Sequence, residues 1–147
     1  MATTGVFNGT SLVVLVGTEV VAHATSCSLS LSVDLPETTD KQSGGWTEHL
    51  AGAKSWTLTT DGLATVDPAA TASYYTTGEI MSALANRTAV TVKFTTVSGT
   101  TAVVGDLYWS GSAFIESMDI TADMESPVTY SASFTGTGAL TQGTTAA

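Results

Sequence analysis

The side chains that could carry out catalysis or hold a metal ion are few in this sequence and lie far apart along it. The two histidines are His23 and His49. His49 follows Glu48, but neither an H-E-x-x-H motif nor a second ligand at metal spacing accompanies it. Asp119 and Asp123 fall on the same face of one strand pattern about 13 Å apart, which is too far for both to bind one ion. We therefore expect no catalytic residue, no metal site and no cofactor.

Nucleophilic catalysis and nucleotide binding receive no support from the sequence either. Serine is abundant, but the G-x-S-x-G motif is absent. The glycine-rich stretches at 43–46 and 134–138 lack the lysine and the following helix that a P-loop requires. The single cysteine, Cys27, lies in the apolar phase of a strand pattern, which predicts a buried, inert thiol. We expect that the protein is not an enzyme.

The charge balance argues against tight binding to polyanions. Four Lys and Arg stand against thirteen Asp and Glu, and the net charge is −9. Nucleic acids and anionic membrane surfaces are both bound through clustered cations, and the sequence has no basic run. The N-terminus lacks a signal-peptide pattern, and no apolar run is long enough to span a bilayer. The expectation is a soluble protein made in the cytoplasm that does not bind membranes.

Alternation between polar and apolar residues predicts that most of the chain is β-strand. The clearest example is residues 26–34, where Ser28, Ser30 and Ser32 fall on one face and Cys27 falls on the other. Further strands are predicted at 10–16, 20–24, 55–62, 88–97, 102–110, 113–123 and 128–136.

The strand pattern at 113–123 places carboxylates among hydroxyls. Asp119 and Asp123 fall on the polar face, whereas Phe114 and Met118 fall on the apolar face. Together with the serines of 26–34, this pattern predicts strand faces that offer hydroxyls and carboxylates but no cation.

A single segment, residues 70–85, approaches helical spacing, between an Asp-Pro pair and Asn86. Along the chain, strands are followed by one helix and then by more strands, and this order predicts one mainly β domain over residues 1–147. We expect an antiparallel β-sandwich or barrel of about seven or eight strands with one flanking α-helix. Residues 137–147 show no period, which predicts a C-terminal arm, disordered in the monomer or docked on a neighbour.

Residues 35–54 show neither strand nor helix period and form a long loop, and loops of this length in compact domains are usually functional or disordered. Ordering the loop costs roughly 1–2 kcal/mol per residue, and a polar loop gains little from its own core. We therefore predict that it is mobile in the free subunit and orders against a partner, with Trp46 as anchor. Alternatively, the loop folds onto its own sheet and Trp46 covers an exposed edge. The candidate contact residues are Asp40, Lys41, Gly44, Gly45, Trp46, Glu48 and Lys54.

Two long stretches of the sequence carry a resemblance to a known family. They are SCSLSLSVDLPETTDKQSGGWTEHLAGAKSWTLTTDGL near the start and SMDITADMESPVTYSASFTGTGAL near the end. The chain resembles the major tail proteins, or tail tube proteins, of long non-contractile-tailed bacteriophages. The resemblance covers nearly the whole chain and rests on the order of these features rather than on one motif.

The resemblance implies a virion protein that forms hexameric rings, which stack into a hollow tail tube. In such a tube the inner sheets join around the lumen, and the long loop reaches the adjacent ring. The lumen holds a tape-measure protein during assembly and later conducts double-stranded DNA without binding it tightly, and other tail proteins cover the tube ends. On this reading Ser28, Ser30, Ser32, Asp119 and Asp123 face the lumen. The alternative is a carbohydrate-binding or adhesive β-sandwich displayed on a particle, with Trp46, Tyr108 and Trp109 as candidate contacts.

Overall fold

The computed structural model describes residues 5–6, 9–65, 74–97 and 103–146. In this part of the chain there are eight strands and one α-helix, in an order that begins with a short 3-10 turn at Gly9–Ser11. The elements are β1 (Leu12–Val16), β2 (Glu19–Val21), β3 (Ala24–Val33), β4 (Lys54–Leu63), β5 (Tyr74–Tyr75), α1 (Thr77–Ala85), β6 (Val90–Thr96), β7 (Leu107–Thr121) and β8 (Thr129–Thr144).

The eight strands form one sheet in the order β3-β4-β8-β7-β6-β1-β2-β5. All neighbours are antiparallel except β2 and β5, which are parallel. The sheet folds over, so that β1 contacts β3 and Val14 and Phe94 share one core cluster with Leu58 and Phe134. The predicted mainly β fold with one helix is confirmed.

The helix is shorter than the sequence predicts. It begins at Thr77 rather than at residue 70, while Tyr74–Tyr75 form strand β5 and residues 70–73 lie outside the described part. The Thr76 N–H donates to the Glu79 carboxylate at 2.8 Å, so a capping box defines the start. Adjacent tyrosines favour strand over helix. Ile80 is fully buried and joins α1 to the core.

The C-terminal segment differs from its prediction. Residues 137–144 continue β8 and pair with β7, so they are not a separate arm, and Ala147 lies outside the described residues. The Trp109 indole N–H donates to the Gln142 side chain at 3.1 Å across this pairing. Gly138 has φ of 84° at a register shift, and such a bulge breaks the alternation from which strands are predicted.

A register shift in β7 corrects the predicted placement of Phe114. Ile115 pairs with Phe134 and Ser117 with Ser133, so Glu116 is an extra residue. Bulges re-aim neighbouring side chains. Phe114 therefore faces away from the core and is 44% exposed. The sequence alternation assumed an unbroken strand, and it assigned Phe114 to the face of Met118.

Glycines in β7 and β8 make room for Trp56. The indole lies against Gly136 and Gly111, and its N–H donates to the Gly138 carbonyl at 3.2 Å. A Cβ at Gly136 would overlap the indole ring, and one at Gly111 would stand 2.7 Å from it. Trp56 is 4% exposed, so these glycines allow the largest core side chain to pack.

We expect Gly136→Ala to destabilise the subunit, because the methyl group forces Trp56 or the backbone to move. Overpacking of this kind costs about 1–3 kcal/mol. Gly78→Ala is the matched control, since Gly78 lies in α1 and a Cβ there would meet only the Thr76 hydroxyl, at an ordinary contact distance of 3.9 Å. Alanine in a helix is favoured over glycine by about 0.5–1 kcal/mol. Urea unfolding of unassembled subunits should show opposite signs, and equal midpoints would contradict the packing.

Candidate functional site

One face of the sheet carries hydroxyl side chains across four adjacent strands. We call it the hydroxyl face. It lies opposite the core on β3, β4, β8 and the second half of β7, where register places the polar residues side by side. Its members are Ser28, Ser30, Ser32, Ser55, Thr57, Thr59, Asp61, Phe114, Ser117, Asp119, Thr121, Thr129, Ser131, Ser133 and Thr135. The predicted lumen residues Ser28, Ser30, Ser32 and Asp119 therefore share one surface.

The charges on the hydroxyl face are all negative. Asp61 and Asp119 both pair in register with Ser131, one from each side. At the bulge, Glu116 accepts a hydrogen bond from Thr135 at 2.5 Å. Asp123 is placed differently from its prediction, because β7 ends at Thr121 and Asp123 lies in the turn that follows. The polar–apolar alternation of β7 continues into the turn residues, so the sequence pattern does not show where the strand ends.

The cations near this sheet lie elsewhere. Lys54 opens β4 in the phase of Trp56, on the side away from the hydroxyl face. Lys93 on β6 places its ammonium 4.1 Å from the centre of the Tyr108 ring. The hydroxyl face therefore offers hydrogen-bonding groups and carboxylates to whatever passes over it.

Two strand edges flank the hydroxyl face. Among the described residues, β3 is the last strand of the sheet and pairs with β4 alone. β6 pairs with β7 only as far as Val90 and Ala113, so within the part of the chain that the structure describes, residues 114–121 of β7 pair with β8 alone. An unpaired edge presents free N–H and C=O groups that can pair with another chain. This four-stranded part of the sheet can therefore be extended from both sides.

Residues 34–53, which we call the arm, extend the β3–β4 hairpin beyond the sheet. Asp34 N–H donates to the Ala53 carbonyl at 2.9 Å, and Gly52 N–H donates to the Asp34 carbonyl at 2.7 Å. Further out, Leu50 N–H donates to the Pro36 carbonyl at 2.9 Å, and Thr38 N–H donates to the Glu48 carbonyl at 2.8 Å. The arm is an irregular antiparallel ladder, whereas the lack of a strand or helix period predicts only a long loop here. A ladder exposed on both faces has no hydrophobic period, so its sequence looks like a loop.

The tip of the arm is a compact turn. Asp40 accepts hydrogen bonds from the Gln42 backbone at 2.7 Å and from the Ser43 hydroxyl at 3.3 Å. Gly44 and Gly45 have φ of 61° and 87°, a conformation that favours glycine. Trp46 follows them and is 80% exposed. The alternative in which Trp46 covers an edge of its own sheet is not what the structure has.

The predicted contact residues are therefore spread along the arm and its base. Asp40, Lys41, Gly44, Gly45 and Trp46 lie at the tip. Glu48 belongs to the ladder, where its N–H also donates to the Thr39 hydroxyl at 3.0 Å. Lys54 is the first residue of β4. Sequence reasoning missed Leu50 and Leu35, which are 63% and 54% exposed and add apolar surface to the arm.

Cys27 is half-buried rather than fully buried. It packs against the core cluster, with its sulfur 3.7 Å from the Thr60 hydroxyl. Burial raises the pKa of the Cys27 thiol, and the hydrogen bond to Thr60 lowers it by less. The thiol therefore stays protonated at neutral pH, and the neighbouring Asp61 carboxylate raises its pKa further rather than activating it.

We expect native Cys27 to react slowly with maleimide at neutral pH, because the reactive species is the thiolate. Denatured protein should react at least about tenfold faster, and the native rate should rise with pH with its midpoint above that of a free cysteine. Thr60→Val, which removes the hydrogen bond that favours the thiolate, should move the midpoint further up. A native rate equal to the denatured one would contradict this placement.

The described residues offer no metal site, no membrane-spanning helix and no aromatic platform. They contain no group of three or more His, Cys, Asp or Glu side chains that could hold a metal ion. Over the same residues, every helix is too short or too polar to cross a bilayer. The aromatic residues of the alternative reading do not form one platform: Trp109 packs on Phe94 at 6.1 Å between ring centres, and Tyr108 lies under Lys93.

Comparison with known proteins identifies the family. A family model described as phage tail tube protein matches residues 6–142. No curated protein sequence matches the chain. The chain is similar in structure to a subunit of a native gene transfer agent virion, with a TM-score of 0.73, 18% identity, and 96% of this chain and 100% of that chain covered.

Two further structures are similar. The tail of an empty gene transfer agent particle, refined with C6 symmetry, gives a TM-score of 0.71 at 21% identity over 92% of this chain and 98% of that chain. The SPP1 tail tube gives 0.71 at 14% identity over 95% of this chain and 80% of that chain. These likenesses establish a common fold, and the family match covers nearly all of the sequence. The chain therefore belongs to the phage tail tube protein family and is a structural subunit of a virion tail tube.

Proposed function

We propose that six copies of the chain close into a ring whose hydroxyl faces line a lumen, and that these rings stack into a tube that conducts double-stranded DNA. The observation that carries the proposal is the hydroxyl face, a polar surface without a cation and bounded by two free strand edges. The C6 symmetry of the similar gene transfer agent tail supports the number six.

The chemistry of the hydroxyl face suits the passage of a polyanion. DNA binds proteins mainly through phosphate contacts with Lys and Arg, and each such contact would hold the DNA. Serine and threonine hydroxyls instead keep a layer of water, while Asp61 and Asp119 repel phosphates. A lumen wall of this kind stays hydrated and does not bind the DNA tightly.

The arm is suited to contacts between rings. It leaves the sheet at the end of β3, and nearly all of its residues are exposed in the subunit. Its internal hydrogen bonds reduce the entropy that is lost on docking. Trp46 offers the type of large apolar side chain that dominates many interfaces. In the proposed tube the arm therefore contacts the adjacent ring.

Two more partners belong to the proposal. A tape-measure protein fills the lumen while the tube is built, and other tail proteins cover the tube ends. Both follow from membership of the tail tube family rather than from any one residue. The lumen wall described above has the polar, weakly binding surface that a removable occupant needs.

Electron microscopy of the purified protein tests the proposal. At high concentration it should form hollow tubes or rings, and end-on views should show sixfold symmetry. An adhesive module would remain small in size-exclusion chromatography at the same concentration. A protein that stays monomeric up to millimolar concentration, or tubes with another symmetry, would overturn the hexameric ring.

A further inference from the structure

We propose that neighbouring subunits join β3 to β7 with a four-residue offset, which places Leu31 of one subunit opposite Met118 of the next and Leu29 opposite Ile120. This inference rests on the proposed ring and specifies its seam. The offset is counted from Cys27, which lies at the height of Met118 within one subunit through the register Cys27–Thr60–Ala132–Met118.

Both strand edges that we propose to pair, β3 of one subunit and β7 of the next, carry exposed apolar side chains on the core side of the sheet. Leu31 and Val33 follow Leu29 along β3 in the same phase, but they are 61% and 39% exposed. At the other edge, Ile120 near the end of β7 is 47% exposed on the same side of the sheet. Each patch lies where its strand leaves the core of its own subunit. With the four-residue offset, Ile120 lies opposite Leu29 and diagonally next to Leu31, so the two exposed patches adjoin across the seam.

The first part of β3 faces other strands of its own subunit across a cavity. Ala24, Ser26 and Cys27 line a cavity together with residues of β1 and β2, so a folded-over wall stands beside this part of the strand. Residues 28–33 have no such neighbour among the described elements. With the four-residue offset, and with Glu116 as the extra residue of the bulge, the free edge at 114–121 lies beside residues 28–34. Without any offset it would lie beside residues 24–30, most of them next to that wall.

Barrel geometry agrees with this offset. Four strands are about 19 Å wide, and four residues along a strand are about 13 Å long. An offset of that length over that width corresponds to a strand tilt of about 35°, and barrel strands tilt by about 35–45°. No offset would leave the strands parallel to the tube axis. The strands β3, β4, β8 and β7 alternate in direction, so joining β7 to the next β3 continues the antiparallel order around the ring.

The same register continues the hydroxyl face across the seam. Asp119 of one subunit then lies opposite Ser30 of the next, and both side chains point away from the core. Phe114, at the far end of the free edge, lies beside the start of the neighbour's arm. The seam therefore has an apolar side facing outwards and a hydroxyl side facing the lumen.

Disulfide trapping tests the register. In a Cys27→Ser background, Leu31→Cys with Met118→Cys should yield covalent rings under mild oxidation, because directly opposite strand residues lie within disulfide distance. Met118→Cys with native Cys27 reports the arrangement without offset, and Val33→Cys with Met118→Cys reports an offset of six. We expect the first pair to cross-link at least about tenfold more than either control on non-reducing gels.

Hydrogen exchange on the unmodified protein gives a second measurement if the cysteine variants fold poorly. On assembly, the amides of residues 28–33 and 114–121 should gain protection, while those of 24–27 should not. Sixfold tubes in which Cys27 cross-links to Met118→Cys, or in which residues 24–27 gain protection, would overturn the proposed register. The proposed hexameric ring would still stand. If no rings form in the unmodified protein, the proposed function fails and the seam fails with it.

Discussion

Subunits that lack the tip of the arm are expected to fold normally and to form no tubes. The replacement should remove residues 39–47 and join Thr38 to Glu48 through Asn-Gly, which forms a tight hairpin turn. The ladder pairs between 34–38 and 48–53 would remain. The tip makes no core contact, so thermal unfolding should change little, whereas stacking loses its proposed anchor. Electron microscopy and size-exclusion chromatography would reveal rings or monomers in place of tubes.

Single substitutions separate the contribution of the Trp46 side chain to stacking from that of the shape of the tip. Trp46→Ala should raise the critical concentration for tube formation about 30-fold, since an interface hot spot contributes about 2 kcal/mol and each 1.4 kcal/mol is a factor of ten. Gln42→Ala is the matched control, because Gln42 is exposed in the same turn and its hydrogen bond uses only its backbone N–H. Tubes of normal length and stability from the shortened arm would mean that the contact between rings lies elsewhere.

The difference between the predicted loop and the observed arm shows what sequence patterns detect. Alternation reports burial on one face, and it correctly predicted β3 and β4, whose Leu29 and Leu58 pair across the ladder. Beyond Asp34 and Ala53 an irregular pairing continues as far as Thr38 and Glu48, but both of its faces are exposed, so the sequence carries no period. Hydrogen bonding between two exposed chains leaves almost no signature in side-chain type.

Bulges limited the prediction in the other long strands. An extra residue at Glu116 reverses the phase of β7, and the shift near Gly138 hides the second half of β8. The sequence marks the extra residue only by the charged Glu116 in the apolar phase between Phe114 and Met118, and the pattern on each side of a bulge is regular. The hydroxyl face was only partly predictable for this reason. Ser28, Ser30 and Ser32 were assigned from β3 alone, whereas Asp61 and Thr135 needed the register between strands.

Reversing the charge of the hydroxyl face is expected to slow DNA ejection without preventing tube assembly. In the variant Asp61→Lys with Asp119→Lys, both substitutions lie on exposed positions between hydroxyl neighbours, so the fold should tolerate them. Stacked rings would then present regular rows of ammonium groups to the phosphates. Each phosphate contact releases counterions, and the affinity gained falls steeply with salt. Ejection measured from assembled particles should therefore be slow at low salt and recover as salt is raised.

The neutral variant Asp61→Asn with Asp119→Asn is the matched control for this experiment. It removes the same carboxylates and nearly preserves side-chain shape, but it adds no cation. Its ejection should stay close to that of the unmodified protein, because a neutral amide does not bind phosphate as an ammonium group does. Asp123→Lys should have a smaller effect than the double lysine variant, since Asp123 lies in the turn after β7. Normal, salt-independent ejection through tubes that carry both lysines would place the hydroxyl face outside the lumen.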